Sequence, residues 1–216
     1  MRYSLIHPSY GRPVMAKSTY DYWISFARAG YEVEYVLSLN QDDPSLEQYK
    51  KLFKEDMRTR ILSSASTNMV QATNVAAGMS FGEIIILMSD DMFPPWHWDD
   101  SLWAEIGTDK EPVVLQVHDG IRNDIVTLPI MNRAAFNRLG YIYHPEYLSM
   151  FADNDLHETA RIHGMLRFSE LRFEHRHYTV GKSENDATYK HENSGIKYTH
   201  GQRVFERRKR EGFPLR

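Results

Sequence analysis

The sequence predicts an α/β fold with a mostly parallel central sheet flanked by helices. Two patterns carry that expectation. Strand-like and helix-like segments alternate as β-α-β-α-β-α-β through Asp91, an order that right-handed crossovers convert into a parallel sheet. Within it, Ile84-Ile85-Ile86-Leu87-Met88 is a continuous apolar run rich in β-branched residues, the mark of a strand buried on both faces. The bulk numbers agree: 216 residues, 42% hydrophobic and 25% charged, suffice for one core in one domain.

Each element has its own signal. Tyr3 to His7 reads as a first strand stopped by Pro8, with a turn over Ser9–Pro13. Met15, Tyr22 and Phe26 recur at helical spacing between Val14 and Ala29, and Gly30 closes that helix. Val33, Tyr35, Leu37 and Leu39 alternate as a second strand, which ends in the polar loop Asn40–Pro44. A helix over Ser45–Met57, a third strand at Arg60–Leu62 and a helix capped by Ser66 or Thr67 and running to Met79 lead to the Ile84 strand. Beyond Asp91 the pattern loosens into a loop through Asp100, a helix near Ser101–Ile106, and strands at Val113–Val117 and Val126–Met131. Helices follow at Asn132–Leu139, stopped by Gly140, and at Leu156–His163, then a final strand at Leu171–His177. From Lys182 the chain is polar and helix-prone and ends in the basic cluster Arg207–Arg210. The expected organisation is one domain with a nucleotide-fold-like first half over 1–91, a more irregular second half over 92–180, and a basic helical tail over 181–216.

Several function classes drop out early. A net charge of −3 argues against a nucleic-acid binder driven by general electrostatics. The absence of cysteine excludes a disulfide scaffold and a thiolate metal site, and fits a cytoplasmic protein. The first residues, Met1 to Pro8, are too short and polar for a signal peptide. No segment approaches the apolar length of a transmembrane helix.

Chemistry concentrates at strand ends. The Ile84 run leads straight into Ser89-Asp90-Asp91. Carboxylates at the end of a buried strand need a partner, and ligands of open α/β sheets bind outside the carboxyl ends of the strands. Asp90 and Asp91 therefore mark a metal-and-ligand site, against the plainer reading of an Asp-rich turn. Divalent ions such as Mg²⁺ or Mn²⁺ take one or two carboxylates plus substrate phosphates. Pro8, Ser9 and Arg12 end the first strand, and Asn40 and Asp42 the second; ordinary turn chemistry is the alternative for the latter pair. Asp153 and Asp155 lie near a helix start, where helix capping competes with a catalytic role. His175 and His177 are two apart and share one face of a strand, where an imidazole suits Mn²⁺ better than Mg²⁺. Trp96 offers a stacking surface if exposed, with core packing the alternative for it and Trp98.

In order along the chain these pieces resemble the GT-A glycosyltransferases, specifically the family-2-like enzymes that use nucleotide-diphosphate sugars. The first strand ending in Ile6-His7-Pro8-Ser9-Tyr10-Gly11-Arg12 looks like that family's opening strand and P-T-Y-N-R turn. Asn68, Ala72, Asn74 and Gly82-Glu83, followed by the apolar strand and Ser89-Asp90-Asp91, are similar to its G-x-x-x-A-R-N … G-E-x-I-x-x-L-D-x-D block. Ala152-Asp153-Asn154-Asp155-Leu156 looks like E-D-x-D-L, with alanine in place of the glutamate. Met92 follows Asp91, so the aspartate motif is not a clean Asp-x-Asp.

The resemblance implies a metal-dependent, inverting sugar transfer from a nucleotide-diphosphate sugar, UDP-linked by default, to a saccharide or other hydroxyl acceptor. It assigns Asp91 and His175 or His177 to the cation and Asp90 to the ribose or the metal surroundings. It places Pro8, Ser9, Arg12, Asn40, Asp42, Asn68 and Asn74 around the donor, and makes Asp153 the base. Two rivals remain: a sugar-nucleotide nucleotidyltransferase, disfavoured by the single glycine and single arginine of Ser9–Pro13, and a GT-A module that binds without turnover.

Overall fold

A computed structural model describes residues 1–176, 181 and 194–215. The first half follows the predicted alternation: β1 (Tyr3–Ser9), α1 (Pro13–Phe26), β2 (Val33–Asn40), α2 (Leu46–Phe53), β3 (Thr59–Ser64), α3 (Met69–Gly78) and β4 (Ile84–Leu87). Then come β5 (Met92–Phe93), α4 (Trp98–Leu102) continued by a wider turn over Trp103–Gly107, β6 (Val114–His118) and β7 (Ile130–Asn132). The chain continues with α5 (Arg133–Leu139), α6 (Ala152–Ile162), β8 (Leu166–Arg172), β9 (Glu174–His175) and α7 (Gly195–Glu211). Seven strands form one sheet in the order β3-β2-β1-β4-β7-β6-β8, in which β7 alone runs antiparallel to its neighbours; β5 and β9 form a separate two-stranded antiparallel sheet.

The apolar run behaves as its composition dictates. Ile84 and Ile86 join the core on one face of the sheet, packed with Tyr20 and Trp23 of α1 and Trp98 of α4. Ile85 and Leu87 join the core on the other face, with Val70 and Ala76 of α3 and Leu156 of α6. Gly82, just before β4, permits a close crossing: a Cβ there would lie 2.4 Å from Ser4 Oγ. Its N–H instead donates to Ser4 Oγ at 2.7 Å and to the buried Glu34 carboxylate at 3.0 Å.

Several expectations need correction. Pro8 does not stop the first strand, which runs to Ser9. The amides of Ile84 and Met88 donate to the carbonyls of Arg2 and Ile6, so even-numbered residues of β1 turn their backbone groups toward β4. Pro8 shares that parity and sits past Leu87, where β4 has ended, so no ladder bond is lost. The first helix ends at Phe26 rather than Ala29 because the fully buried Asp99 carboxylate accepts the amides of Arg28 and Ala29, at 2.9 and 2.7 Å, and pulls the chain out of helical geometry. Asn68, not Ser66 or Thr67, caps α3, accepting the Gln71 amide at 2.9 Å.

In the second half, α6 begins at Ala152, four residues earlier than expected, after Phe151 adopts a left-handed φ of 70°. The last strand is broken in two at Phe173, whose ring is buried beside Trp23. There the chain leaves β6 and crosses to β5, with the His175 amide bonded to the Asp119 carbonyl and the Arg176 amide to the Asp91 carbonyl. His177 and Lys182, from which the chain was expected to be polar and helix-prone, lie outside the described residues. The basic cluster ends α7, and within it Arg208 is buried in a pair with Asp155 at 2.6 Å while Lys209 and Arg210 are exposed.

Candidate functional site

Ser89-Asp90-Asp91 leaves the end of β4, and the two adjacent carboxylates face opposite walls. Asp90 points to β1. Its Oδ1 lies 3.0 Å from Nε2 of the fully buried His7, and its Oδ2 lies 3.5 Å from Ser9 Oγ and 3.6 Å from Arg12 Nη1. The Asp90 carbonyl accepts the Thr19 hydroxyl of α1 at 2.7 Å, which fixes the turn. Asp91 points to β9 instead. Its Oδ1 accepts the Ser89 hydroxyl at 2.6 Å and its Oδ2 lies 3.2 Å from His175 Nε2.

The short β5–β9 pairing places His175, setting Met92 opposite it. The other ring nitrogen, Nδ1, faces the buried Asp119 at 3.5 Å. Burial alone would depress the imidazole, but bonding to Asp119 and Asp91 overrides it and lifts its pKa to about 9. Burial works on Asp119 in the opposite sense, yet His175 and the amides of Arg122 and Ile121 hold its carboxyl well below the usual range. Asp119 thus stays ionised and anchors the ring.

Such a row suits a divalent cation that takes the place of the proton on His175 Nε2. A metal-binding imidazole typically gives its second nitrogen to a carboxylate, as His175 does to Asp119. The 3.2 Å between Nε2 and Oδ2 is near the ~3.0 Å edge that adjacent ligands span around an octahedral ion at about 2.1 Å. Among the described residues no group of three or more His, Asp or Glu side chains forms a metal cage. Asp91 and His175 are thus the two side chains of this row that could hold a cation, with phosphate or water completing its shell.

Around Asp90, the β1–α1 loop is held in place by α2 and the loop before it. Ser9 Oγ lies 2.8 Å from the Tyr49 hydroxyl, the Arg12 amide donates to that hydroxyl at 2.9 Å, and the Gly11 amide donates to buried Asp43 at 2.8 Å. Pro8 ends β1 beside them. Asn40 is spent locally, donating to the Ser66 carbonyl and accepting the Asp42 amide, and Asp42 is exposed. Asn68 is occupied as the α3 cap. Asn74 reaches neither Asp90 nor the β1 loop in its hydrogen bonds: it accepts the amides of Ile142 and Tyr143 and donates to the Tyr143 carbonyl at 2.7 Å. It braces the segment that leads into α6.

Asp153 stands in the first turn of α6, half-buried, with Oδ1 accepting the Asn154 amide at 2.8 Å. Burial raises its pKa, partly offset by nearby amides and the Arg122 charge. Arg122 belongs to the same loop as Asp119, which accepts its amide. Asp155, two residues on, faces the interior, bonded to Arg208, Tyr147 and Thr159. Trp98 is core, donating to the Trp23 carbonyl, whereas Trp96 is 63% exposed. Sequence reasoning gave His7 and Tyr35 no role and set the strand end at Asp119 toward a sugar or acceptor rather than against His175. The signal for Asp119 was its place at the end of a buried strand, the same signal that exposed Asp90 and Asp91.

No protein-family model matches the sequence, and no curated protein matches it. Solved structures do match in fold. The chain is similar to Staphylococcus aureus TarS residues 1–349, solved in complex with UDP, at 14% identity and a TM-score of 0.63, over 81% of this chain and 60% of that one. It is similar to the Pyrobaculum calidifontis mannosyltransferase PcManGT, solved with GDP-Man and Mn²⁺, at 13% identity and 0.60, over 79% and 56%. It is similar to Mycobacterium tuberculosis glucosyl-3-phosphoglycerate synthase, solved with Mn²⁺, UDP and glucosyl-3-phosphoglycerate, at 10% identity and 0.59, over 82% and 72%. The chain thus spans about 60% of the TarS chain it matches. At these identities the likeness establishes the fold, which is the GT-A fold of glycosyltransferases. Among the described residues no helix is long and apolar enough to cross a membrane.

Proposed function

We propose that this protein transfers a sugar from a nucleotide-diphosphate sugar, UDP-linked by default, to an acceptor hydroxyl, using a divalent cation held by Asp91 and His175. The observation that carries this reading is the Asp91–His175–Asp119 row beside an oppositely directed Asp90, at the carboxyl end of a central strand in a GT-A fold. Asp90, Ser9 and Arg12 form the nucleotide wall, where a guanidinium suits phosphate oxygens. The fold neighbours solved with UDP or GDP-Man and Mn²⁺ support the ligand class. When bound, the cation neutralises charge gathering on the departing diphosphate.

Asp153 is the base in this reading. Burial makes its carboxylate a better proton acceptor than a solvated one. It removes the acceptor hydroxyl proton as that oxygen bonds to the anomeric carbon, and the bond to the diphosphate breaks with its electron pair going to the diphosphate oxygen. One displacement from the opposite face inverts the anomeric centre. Asn74 and the Asp155–Arg208 pair hold the segment before α6 and the helix itself, and so fix where Asp153 stands.

The direct test incubates the protein with UDP-glucose, UDP-GlcNAc or GDP-mannose and Mn²⁺ and follows release of the nucleoside diphosphate. Slow release without acceptor, lost on chelation, is expected. Asp153→Asn should bind donor normally and lose transfer. Unimpaired transfer by Asp153→Asn would remove it as base, and no release from any of the three donors would count against the reading itself.

A further inference from the structure

Deep in the sheet under the nucleotide wall lies a polar chain to which the motifs give no role. His7 of β1 is fully buried, in register with Leu37 of β2. Its Nδ1 lies 2.7 Å from the hydroxyl of Tyr35, which is itself fully buried between Tyr20 and Phe53. Nε2 faces the carboxylate oxygen Asp90 Oδ1 at 3.0 Å, an acceptor, which favours a hydrogen on Nε2 and leaves Nδ1 to accept from the Tyr35 hydroxyl. The approach is at ion-pair distance yet misses hydrogen-bond alignment, and both Nε2 and Oδ1 are buried without another hydrogen-bond partner. Two buried polar atoms left facing each other this way are costly unless a further state aligns them. The outward oxygen, Oδ2, is the one turned to Ser9 and Arg12.

We propose that the Tyr35–His7 pair is the positioning element of the donor site: it holds Asp90 by its inner oxygen so that the outer oxygen meets the nucleotide portion of a nucleoside diphosphate. This rests on the donor reading above. Loading of Asp90 by the donor draws Oδ1 into line with Nε2, in keeping with bonds that are loose in the free protein and tighten in the complex. Asp91 takes no part, since its carboxylate is held by Ser89 and His175. The pair therefore governs nucleotide affinity and leaves binding of the cation by itself untouched.

The experiment is calorimetric titration of UDP and of GDP in saturating Mn²⁺, and of Mn²⁺ alone, into wild type, His7→Phe, His7→Gln and Tyr35→Phe, with thermal melts of each. Glutamine can place an amide N–H near the Nε2 position; phenylalanine cannot. His7→Phe should weaken the nucleotide at least tenfold, Tyr35→Phe about three- to tenfold, and His7→Gln should recover to within about threefold of wild type. Mn²⁺ binding alone should stay within twofold in all. A folded His7→Phe that binds nucleotide like wild type overturns the proposal. So does a loss of Mn²⁺ affinity parallel to that of nucleotide, which marks general damage. If His7→Phe does not fold, Tyr35→Phe decides by the same criteria. A wild type that binds neither nucleotide overturns the donor reading itself, and the positioning role falls with it.

Discussion

Replacing Arg208 with alanine leaves the Asp155 carboxylate with no cation in a wall of apolar side chains. The guanidinium meets Asp155 through two nitrogens, at 2.6 and 3.3 Å, with side-chain exposures of 3% and 1%. Tyr147 and Thr159 add bonds at 3.0 and 3.3 Å, but neither carries charge. Breaking one side of a buried pair costs about 3–5 kcal/mol. In a chain of 216 residues, at roughly 2–4 °C per kcal/mol, the midpoint should fall by about 6–20 °C. Urea denaturation followed by far-UV circular dichroism measures the loss, and Arg208→Met combined with Asp155→Leu serves as control. Removing both charges should recover most of the stability, because well-packed apolar replacements of buried pairs are close to neutral. A single Arg208→Ala costing under about 1 kcal/mol, the value of an exposed pair, would refute the reasoning.

Three further outcomes follow from the same geometry. Asp153→Asn should stabilise the fold at neutral pH while abolishing transfer: the folded pKa is raised, so wild type loses stability as pH climbs from the ordinary carboxylate pKa through the raised one. Melts from pH 3 to 8 should show the two proteins converging at the acid end. Gly201→Ala should cost about 1–3 kcal/mol in chemical denaturation, since a Cβ would stand 2.2 Å from the Met150 carbonyl oxygen where α7 crosses the chain before α6. Asp119→Asn should weaken Mn²⁺ binding about 10- to 100-fold in titration without unfolding the protein, because it removes the carboxylate that orients His175.

What could be read in the sequence was what depends on local pattern. Alternating and continuous apolar runs placed β1, β2 and β4, since each such strand buries both faces whichever neighbours it finds, while the edge strand β3 is only half-buried. The place of Asp90 and Asp91 just past the end of a buried strand was visible for the same reason. The missed parts depend on distant pairing. β5 and β9 are two residues each, too short for any periodicity, yet they bring His175 to Asp91. His7 looked like an ordinary strand residue because its partners, Tyr35 and Asp90, come from β2 and the turn after β4. The hydrogen bonds of Asn74 to the backbone at Ile142 and Tyr143 likewise span 68 and 69 residues and leave no local trace. The α6 boundary slipped because the left-handed turn sits on Phe151, a residue with no propensity to announce it.

The most direct test of the central claim is the affinity for UDP, with GDP in parallel, measured with and without Mn²⁺ in wild type, Asp91→Asn and His175→Ala. The account predicts at least tenfold tighter nucleotide binding with the metal in wild type, and little or no metal enhancement in either variant. Nucleotide affinity indifferent to Mn²⁺ in wild type, or full enhancement surviving in Asp91→Asn, would contradict it.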